Sequence, residues 1–302
     1  MSVIAALVLI LAQAGSVATD NGARPAECDA VDGVRKNVWE RAKSPALRQY
    51  CDLLASGATK VAGGAAMAKE ALALAGQADK TLPGRAAPLV LDGRAAALLG
   101  RFPDAFNAFR EAKTRDDHAL DDPSALLAFA RSAARTNHMD DARAAYQLLL
   151  PRASALSASD RGVAYDEAGM AAMSAGPKGL DEAIATFRQG ERDSQDVAQT
   201  VAVLGLALAL DRAGQKDEAK AVLAERIHGD TRPLVKNALA AGVLGAGTGD
   251  TEADALAAIG LEATDMTAAR ETWKKYADHA PAVWADHARA KANAATPKRG
   301  TR

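Results

Sequence analysis

The sequence predicts an all-α protein, a right-handed α-solenoid of about five helical hairpins with terminal capping helices. A pattern returns five times, an alanine followed four positions later by a large apolar residue, at spacings of 37, 37, 41 and 36 residues. Short helical units that repeat at such a period stack on their neighbours. Composition agrees, because the apolar residues are mostly Ala and Leu and aromatic residues make up only 4%, which favours helices over strands. The pairs are Ala68 with Leu72, Ala105 with Phe109, Ala142 with Tyr146, Ala183 with Phe187, and Ala219 with Leu223; their alanines are the marker alanines.

Length and charge narrow the range of functions. The chain has 302 residues, of which 49% are hydrophobic and 25% are charged, as in globular proteins. The formal net charge is -1, so no charge excess indicates nucleic acid or an anionic membrane as the partner.

Residues 1–18 predict a signal peptide. The run from Val3 to Leu11 is almost entirely apolar and too short to span a bilayer, which takes about 20 residues. Small residues suit cleavage near Ala14 or Ala18, so we expect the mature protein to be periplasmic or secreted. No Lys or Arg precedes the run, so either the true start codon lies upstream or the signal is weak. The alternative is an ordinary buried helix.

Residues 19–59 predict an N-terminal helical cap. A first helix is expected from Ala30 to Lys43, and Ser44-Pro45 marks a second start, because Ser suits an N-cap and Pro suits the first turn. Cys28 and Cys51 are the only cysteines, and an even, closely spaced pair in an exported chain predicts one disulfide. The alternative is two free buried thiols.

Residues 60–228 predict the regular array, in which a marker alanine lies near the start of each second helix. The spacing of 41 residues reflects a longer turn after Met173 together with the serine-rich stretch 154–159, since insertions map to loops. One helix over 65–75 and a linker over 81–88 precede the first full pair. The predicted pairs are 89–99 with 104–113, a pair that begins at Asp122-Pro123-Ser124, 159–173 with 180–188, and 196–212 with 216–225.

A family resemblance rests on Gly93, Gly100, Ala105, Phe109 and Ala112. They resemble the tetratricopeptide repeat family, whose unit is a helix–turn–helix of about 34 residues. In that family small residues lie in the middle and at the end of the first helix, and an alanine, an aromatic residue and another alanine follow in the second helix. The resemblance covers about residues 60–225, although the aromatic residue expected early in each first helix is absent and the middle units lack the closing Pro. It implies a groove along the first helices that binds proteins or peptides. Further matches are Ala142 and Tyr146, with Asn137 where Gly is commoner, then Gly169, Ala183 and Phe187, and then Gly214, Ala219 and Leu223.

Residues 229–295 predict C-terminal helical hairpins and a capping helix. A helix over 233–241 and a glycine-rich stretch precede a fifth unit over 255–261 and 267–276, in which Ala269 and Trp273 take the marker positions. A final helix is expected over 282–294, and residues 296–302 are expected to be a disordered tail. We interpret Trp273 and Trp284 as core anchors rather than as a binding platform.

The evidence for catalysis is weak. The stretch Gly245 to Gly249 resembles a nucleotide or S-adenosylmethionine loop, and Glu262 follows where an acidic ribose ligand would fall. Such a loop must follow a buried strand, and residues 239–242 make a poor one, so we interpret it as a flexible loop. The five histidines lack metal-ligand spacing, and no Ser or Cys lies in a nucleophile motif. We therefore expect no catalytic residues, metal or cofactor.

The resemblance instead directs attention to the groove arginines Arg94, Arg131, Arg135 and Arg212. Arg94 and Arg131 occupy equivalent places relative to their marker alanines, and Arg135 lies one turn beyond Arg131. Together the four predict a positive stripe that binds carboxylates in a bidentate manner. The alternative is ordinary surface arginines, some of them paired with Asp92, Asp166 or Asp211.

The functional expectation is a non-catalytic exported scaffold or adaptor, of the kind found in a bacterial periplasm. Its partner is expected to be a protein or peptide segment of acidic character, with no nucleic acid, integral membrane span or small-molecule cofactor. One alternative is a structural subunit of a cell-envelope or secretion assembly that binds through its convex face or its caps. A remote alternative is a small-molecule enzyme that uses the Gly245–Gly249 loop.

Overall fold

The computed structural model describes residues 25, 27–29, 45–226 and 249–294. Within these ranges every regular element is a helix and no strand occurs, so the all-α prediction is confirmed. None of the described helices is both long enough and apolar enough to cross a membrane. The signal peptide over 1–18 and the predicted helices over 30–43 and 233–241 lie outside the described residues, and so does the tail over 296–302.

The chain divides into two compact units, unit 1 from Met1 to Ser157 and unit 2 from Ala158 to Arg302. Unit 1 contains α1 (Pro45–Ala62), α2 (Ala68–Thr81), α3 (Ala87–Leu98), α4 (Phe102–Arg115), α5 (Pro123–Arg135), α6 (Met139–Leu149) and a 3-10 helix (Leu150–Ala155). Unit 2 contains α7 (Ala158–Ser174), α8 (Leu180–Asp193), α9 (Asp196–Arg212), α10 (Lys216–Arg226), α11 (Gly249–Leu261), α12 (Met266–Ala277), α13 (Ala285–Ala292) and 3-10 helices over Gly176–Gly179 and Ala282–Trp284. The domain boundaries drawn from the sequence at 59 and 228 stay predictions.

Helices pack in adjacent pairs within each unit. In unit 1 each helix from α1 to α5 contacts the next, and the first helices of successive hairpins also contact one another, α1 with α3 and α3 with α5. In unit 2, α7 contacts α9, and α9 contacts α11, in the same way. Each unit therefore has a layer of first helices with the second helices packed beside it.

The marker alanines lie at these helix contacts. Ala68, Ala105, Ala142, Ala183 and Ala219 all have no exposed surface, and so does Ala269 in the fifth predicted pair. Glycines complete the close approach. A Cβ on Gly93 would lie 2.9 Å from the ring of Phe109, and one on Gly169 would lie 2.5 Å from the ring of Phe187. Glycine is required opposite each of these rings, because a side-chain carbon at that position would overlap the ring.

Three of the hairpin turns share one geometry. Gly100, Asn137 and Gly214 all have positive φ angles, of 71°, 63° and 81°. Each of these residues follows the first helix of a hairpin. The next residue donates its backbone N–H to a carbonyl in the last turn of that helix, as in a Schellman cap. Those hydrogen bonds run from Arg101 to Ala96, from His138 to Ala133 and from Gln215 to Leu210, at 2.8 to 2.9 Å. Asn137 therefore adopts the positive-φ conformation that glycine adopts in the other two turns, which its short polar side chain permits.

The N-terminal cap is held by a covalent link. The Sγ atoms of Cys28 and Cys51 are 2.06 Å apart and their Cα atoms 5.7 Å apart, so the predicted pairing is confirmed. Beside it, the buried Tyr50 hydroxyl donates a hydrogen bond to Glu27 over 3.1 Å. Burial and the neighbouring Glu27 carboxylate both raise the pKa of Tyr50. Helix α1 is described from Pro45 onward, and Ser44 lies outside the described residues, so the predicted start at Ser44-Pro45 stays a prediction.

Several elements differ from their predicted bounds. Helix α8 continues to Asp193 beyond the predicted end at 188, and α11 is described from Gly249 rather than from 255. Helix α2 runs over Ala68–Thr81, later than the predicted 65–75, because Gly64 turns with a φ of 73° and residues 65–67 belong to that turn. The final helix was expected over 282–294 but is split into a 3-10 turn and α13. Its first turn closes onto Pro281, whose carbonyl accepts from the Trp284 N–H at 2.8 Å.

We predict that Ala142→Leu lowers the free energy of unfolding by roughly 1–3 kcal/mol, because the added carbons overpack a closed helix crossing. Ala144→Leu is the matched control, since Ala144 lies on the same helix α6 and is exposed, and its effect should stay within about 0.5 kcal/mol. Urea denaturation followed by circular dichroism measures both. Equal effects of the two substitutions would contradict the close crossing at Ala142.

Candidate functional site

Three of the four predicted groove arginines lie in unit 1. Arg94 is on α3 and Arg131 on α5, two first helices that contact each other, and both side chains are partly buried. Arg135 is exposed at the last residue of α5. We call Arg94, Arg131 and Arg135 together the arginine surface.

Arg94 faces a carboxylate of the next hairpin. Its Nη1 lies 3.8 Å from Asp122 Oδ2, and both side chains are largely but not fully buried, with 12% and 18% of their surface exposed. Asp122 is also the N-cap of α5, and Oδ2 accepts from the Ala125 N–H at 3.1 Å and from the Ser124 hydroxyl at 2.5 Å. The sequence predicted Asp122 as a helix start, but not as the neighbour of Arg94.

Arg135 lies over an aromatic ring. Its Cζ is 5.4 Å from the centroid of Phe102, which begins α4. A cation over a ring face is worth about 0.5–1 kcal/mol at an exposed site, so the contact restrains the Arg135 side chain at the end of α5. Sequence reasoning missed Phe102, because nothing local to either residue indicates the pairing.

A second group of cations lies on α4. Arg110 Cζ is 5.6 Å from the Phe106 centroid, and Lys113 Nζ is 5.5 Å from the Phe129 centroid. The buried Phe106 ring also stacks on His138 at 4.1 Å. These cations belong to a second helix, whereas Arg94, Arg131 and Arg135 belong to first helices.

Arg212, the fourth predicted groove arginine, lies in the interior of unit 2. Only 3% of its side-chain surface is exposed. The guanidinium forms an ion pair with Glu252, donates to the Tyr276 hydroxyl at 2.7 Å and stacks over Trp284 at 4.7 Å. Trp273 and Trp284 are both buried, in agreement with their interpretation as core anchors.

Asp211, beside it, joins α9 to α13. His287 Nε2 lies 2.7 Å from its Oδ2, and Lys291 pairs with its Oδ1. Lys291 also contacts Glu262 at 2.7 Å. Burial by itself would raise the pKa of Asp211, but the hydrogen bond from His287 and the charge of Lys291 lower it below the ordinary value. Asp122 thus lies beside Arg94 and Glu252 beside Arg212. The sequence suggested that some of the arginines pair with Asp92, Asp166 or Asp211; Asp211 pairs with His287 and Lys291 instead.

Asp166 on α7 has no exposed surface, and neither carboxyl oxygen has a hydrogen-bond partner among the described residues. Burial raises its pKa well above the ordinary value, and the charge of Glu167 adds to the increase. A buried carboxyl without partners destabilises the folded state when it ionises.

The catalytic alternative rests on the Gly245–Gly249 loop and on Glu262. Residues 245–248 of the glycine loop lie outside the described residues, and α11 is described from Gly249 onward. Glu262, the residue placed at the ribose position, accepts from Trp273 Nε1 at 3.0 Å and contacts Lys291. Over residues 45–226 and 249–294, no group of three or more His, Cys, Asp or Glu side chains is arranged to hold a metal ion.

Comparison with known proteins returned no family model that matches the chain and no curated protein that matches it significantly.

We predict that Asp166→Asn becomes increasingly stabilising, relative to wild type, as the pH rises above about 4. The folded-state pKa of Asp166 is raised, so between the unfolded and folded pKa values the folded state binds the extra proton and stability falls with pH. Asn cannot ionise and lacks this loss. Urea denaturation at a series of pH values gives the difference. Asp181→Asn, at an exposed position of α8, is the control and should show little such trend. A difference for Asp166→Asn that does not grow with pH would contradict the prediction.

Proposed function

We propose that this protein is a non-catalytic, exported helical-repeat scaffold or adaptor of the tetratricopeptide type, whose arginine surface in unit 1 binds an acidic protein or peptide segment. The ligand residues in this proposal are Arg94, Arg131 and Arg135. Arg212 is not included, because its guanidinium is buried against Glu252 and Tyr276.

The repetition of Arg94 and Arg131 on contacting helices carries the proposal. Arg94 precedes Ala105 by the same number of residues as Arg131 precedes Ala142, and α3 contacts α5. In this proposal, these equivalent residues of neighbouring hairpins present two guanidinium groups to the same ligand. Guanidinium groups bind carboxylates through paired N–H donors, which favours acidic segments over neutral ones.

The repeat character rests on shared geometry rather than on sequence likeness. The buried marker alanines, the glycine-to-ring contacts and the three turns closed in the same way support a repeat array of the solenoid type. The export part of the proposal is supported by the Cys28–Cys51 disulfide, since disulfides persist in oxidising compartments.

Binding by such a surface follows from its rigidity. Helices α3 and α5 are packed before the ligand arrives, so the ordering entropy falls mainly on the partner. The Phe102 ring restrains Arg135 in the same way. Because the contacts are between opposite charges, affinity is expected to fall as salt concentration rises.

We predict that Arg131→Glu with Arg135→Glu weakens binding of a labelled oligoglutamate peptide roughly tenfold or more, because two attractive contacts become repulsive. Fluorescence anisotropy at low salt measures the affinity. The matched control is Arg110→Glu with Lys113→Glu, which makes the same charge change on α4. Circular dichroism of both variants checks that the helices are retained.

The control also distinguishes binding through the first helices from binding through the second helices of unit 1. Loss of binding in the α5 variant alone supports the arginine surface. Loss in the α4 variant alone would overturn this assignment and transfer the interface to the second helices, as expected for a structural subunit that binds through its convex face. Equal weakening by both variants would mean that only net charge is sensed, and wild-type protein that binds no acidic peptide would overturn the proposed function.

A further inference from the structure

We propose that residues 281–292 form a displaceable strap, and that the surface beneath it in unit 2 binds a partner helix that carries an aromatic residue followed by two basic residues. The strap contains the 3-10 turn Ala282–Trp284 and α13, and all of it lies within unit 2. We call Asp211, Glu262 and Trp273 together the acceptor surface. This inference goes beyond the proposed function, because it concerns other residues in the other unit.

The strap directs polar side chains inward. Trp284, His287 and Lys291 follow one another at intervals of three and four residues, which places them on one side of a helix. Trp284 is 4% exposed, and the side chains of His287 and Lys291 are 21% and 7% exposed. On the opposite side, the side chains of Asp286 and Arg289 are 97% and 60% exposed. An indole and two basic side chains therefore face the rest of unit 2.

The acceptor surface complements these side chains. His287 Nε2 lies 2.7 Å from Asp211 Oδ2, and Lys291 pairs with both Asp211 and Glu262. Lys291 Nζ also lies 5.1 Å from the centroid of the Trp273 ring. Asp211 is in the last turn of α9, where the helix end adds partial negative charge. Two carboxylates, a ring face and a helix end thus form a site for basic side chains.

Two features make the strap displaceable. Helix α13 has eight residues, and isolated helices shorter than about 12–15 residues are marginal in water, so α13 stays helical only while it is docked. Its docking depends on buried charge pairs, whose attraction often only offsets the cost of removing the charges from water. The other buried apolar side chains of α13 are small, those of Ala288 and Ala292. Little aliphatic contact therefore holds the strap in place.

The strap itself indicates which partner fits. A partner helix with an aromatic residue and two basic residues at the same intervals can make the contacts of the strap, and a longer helix can add others. Because the strap is tethered, it competes at an effective concentration in the mM range, which weakens partner binding to the intact chain. Exchange with a second copy would regain only the contacts that the strap already makes, at the cost of association, so a different protein is the favoured occupant.

The experiment uses a labelled peptide with the sequence of residues 279–294, and fluorescence anisotropy measures its affinity for the full chain. We expect the loosened variant, His287→Ala with Lys291→Ala, to bind this probe about tenfold more tightly than wild type does, because its acceptor surface is unchanged while its strap competes less. Asp286→Ala with Arg289→Ala is the matched control on the outward side of the same helix and should bind as wild type does. A probe that itself carries His287→Ala and Lys291→Ala should lose most of its affinity for the loosened variant.

Other outcomes overturn the inference. No gain in the loosened variant, an equal gain in the control, or equal binding of the two probes would contradict the acceptor surface. A stable complex between the loosened variant and wild type in light scattering would assign the surface to a second copy and overturn the choice of partner. Circular dichroism checks that the variants stay helical.

Hydrogen exchange of the wild-type chain tests the strap without any substitution. We expect the backbone amides of α13 to exchange at least about tenfold faster than those of α12, because a displaceable strap opens without unfolding the rest of unit 2. Equal rates in α12 and α13 would overturn the inference, even if the loosened variant does not fold. The probe and the variants leave α3 and α5 unchanged, so failure of this inference would not affect the proposed function.

Discussion

Contact between a glycine on a first helix and a large ring on a second helix determines how closely the helices pack at α3 with α4 and at α8 with α7 and α9, and the arrangement around them depends on that distance. Phe109 fills the space opposite Gly93, and Phe187 fills the space opposite both Gly169 and Gly205, where a Cβ would approach its ring to 2.3–2.5 Å. Because interiors are close-packed, these pairs fix both the helix separation and the register along the helix axes. The first helices are thereby brought into contact, and their side chains repeat at equivalent places.

Unit 2 adds buried charge to this apolar packing. Arg212 with Glu252 and Asp211 with Lys291 join the end of α9 to helices that follow much later in the chain. Removing two charges from water costs several kcal/mol per ion, and the attraction between them often only offsets that cost. Such pairs contribute little to stability compared with a well-packed apolar core, yet a single unmatched partner is strongly destabilising. Their effect is to favour one arrangement of α11, α12 and α13 against α9 over other apolar packings.

Local patterns predicted most of the fold. The helix start at Asp122-Pro123-Ser124 and the Cys28–Cys51 pair depend on neighbouring residues or on simple pairing rules, and the structure agrees with both. The marker alanines were found because packing imposes the same small side chain at a regular interval. The bounds of α2 were less accurate, since its first residues belong to a turn that Gly64 sets up through its positive φ angle.

Long-range contacts were beyond such reasoning, and the candidate site depends on them. Glu252 and Tyr276 are 40 and 64 positions from Arg212, so no local pattern indicates that this arginine is buried while Arg135 is exposed. The burial of Asp166 is equally invisible, because it depends on what packs over α7 rather than on its neighbours in the chain. The division at residue 157 follows from the distribution of contacts, which periodicity does not encode.

Arg94 and Arg212 show why position in a repeat does not by itself determine function. Both lie on first helices, but the 3-10 turn over Ala282–Trp284 places an indole against Arg212, whereas the carboxylate beside Arg94 belongs to the cap of the next hairpin. The N-cap of a first helix lies beside the first helix of the preceding hairpin. An acidic N-cap, such as Asp122 of α5, therefore places its negative charge beside that preceding helix. In α3 and α9 the N-cap residues Ala86 and Gln195 make no side-chain cap bond, so α5 differs from both in this respect. The charge of a repeat surface is therefore set partly by residues whose first requirement is to start a helix.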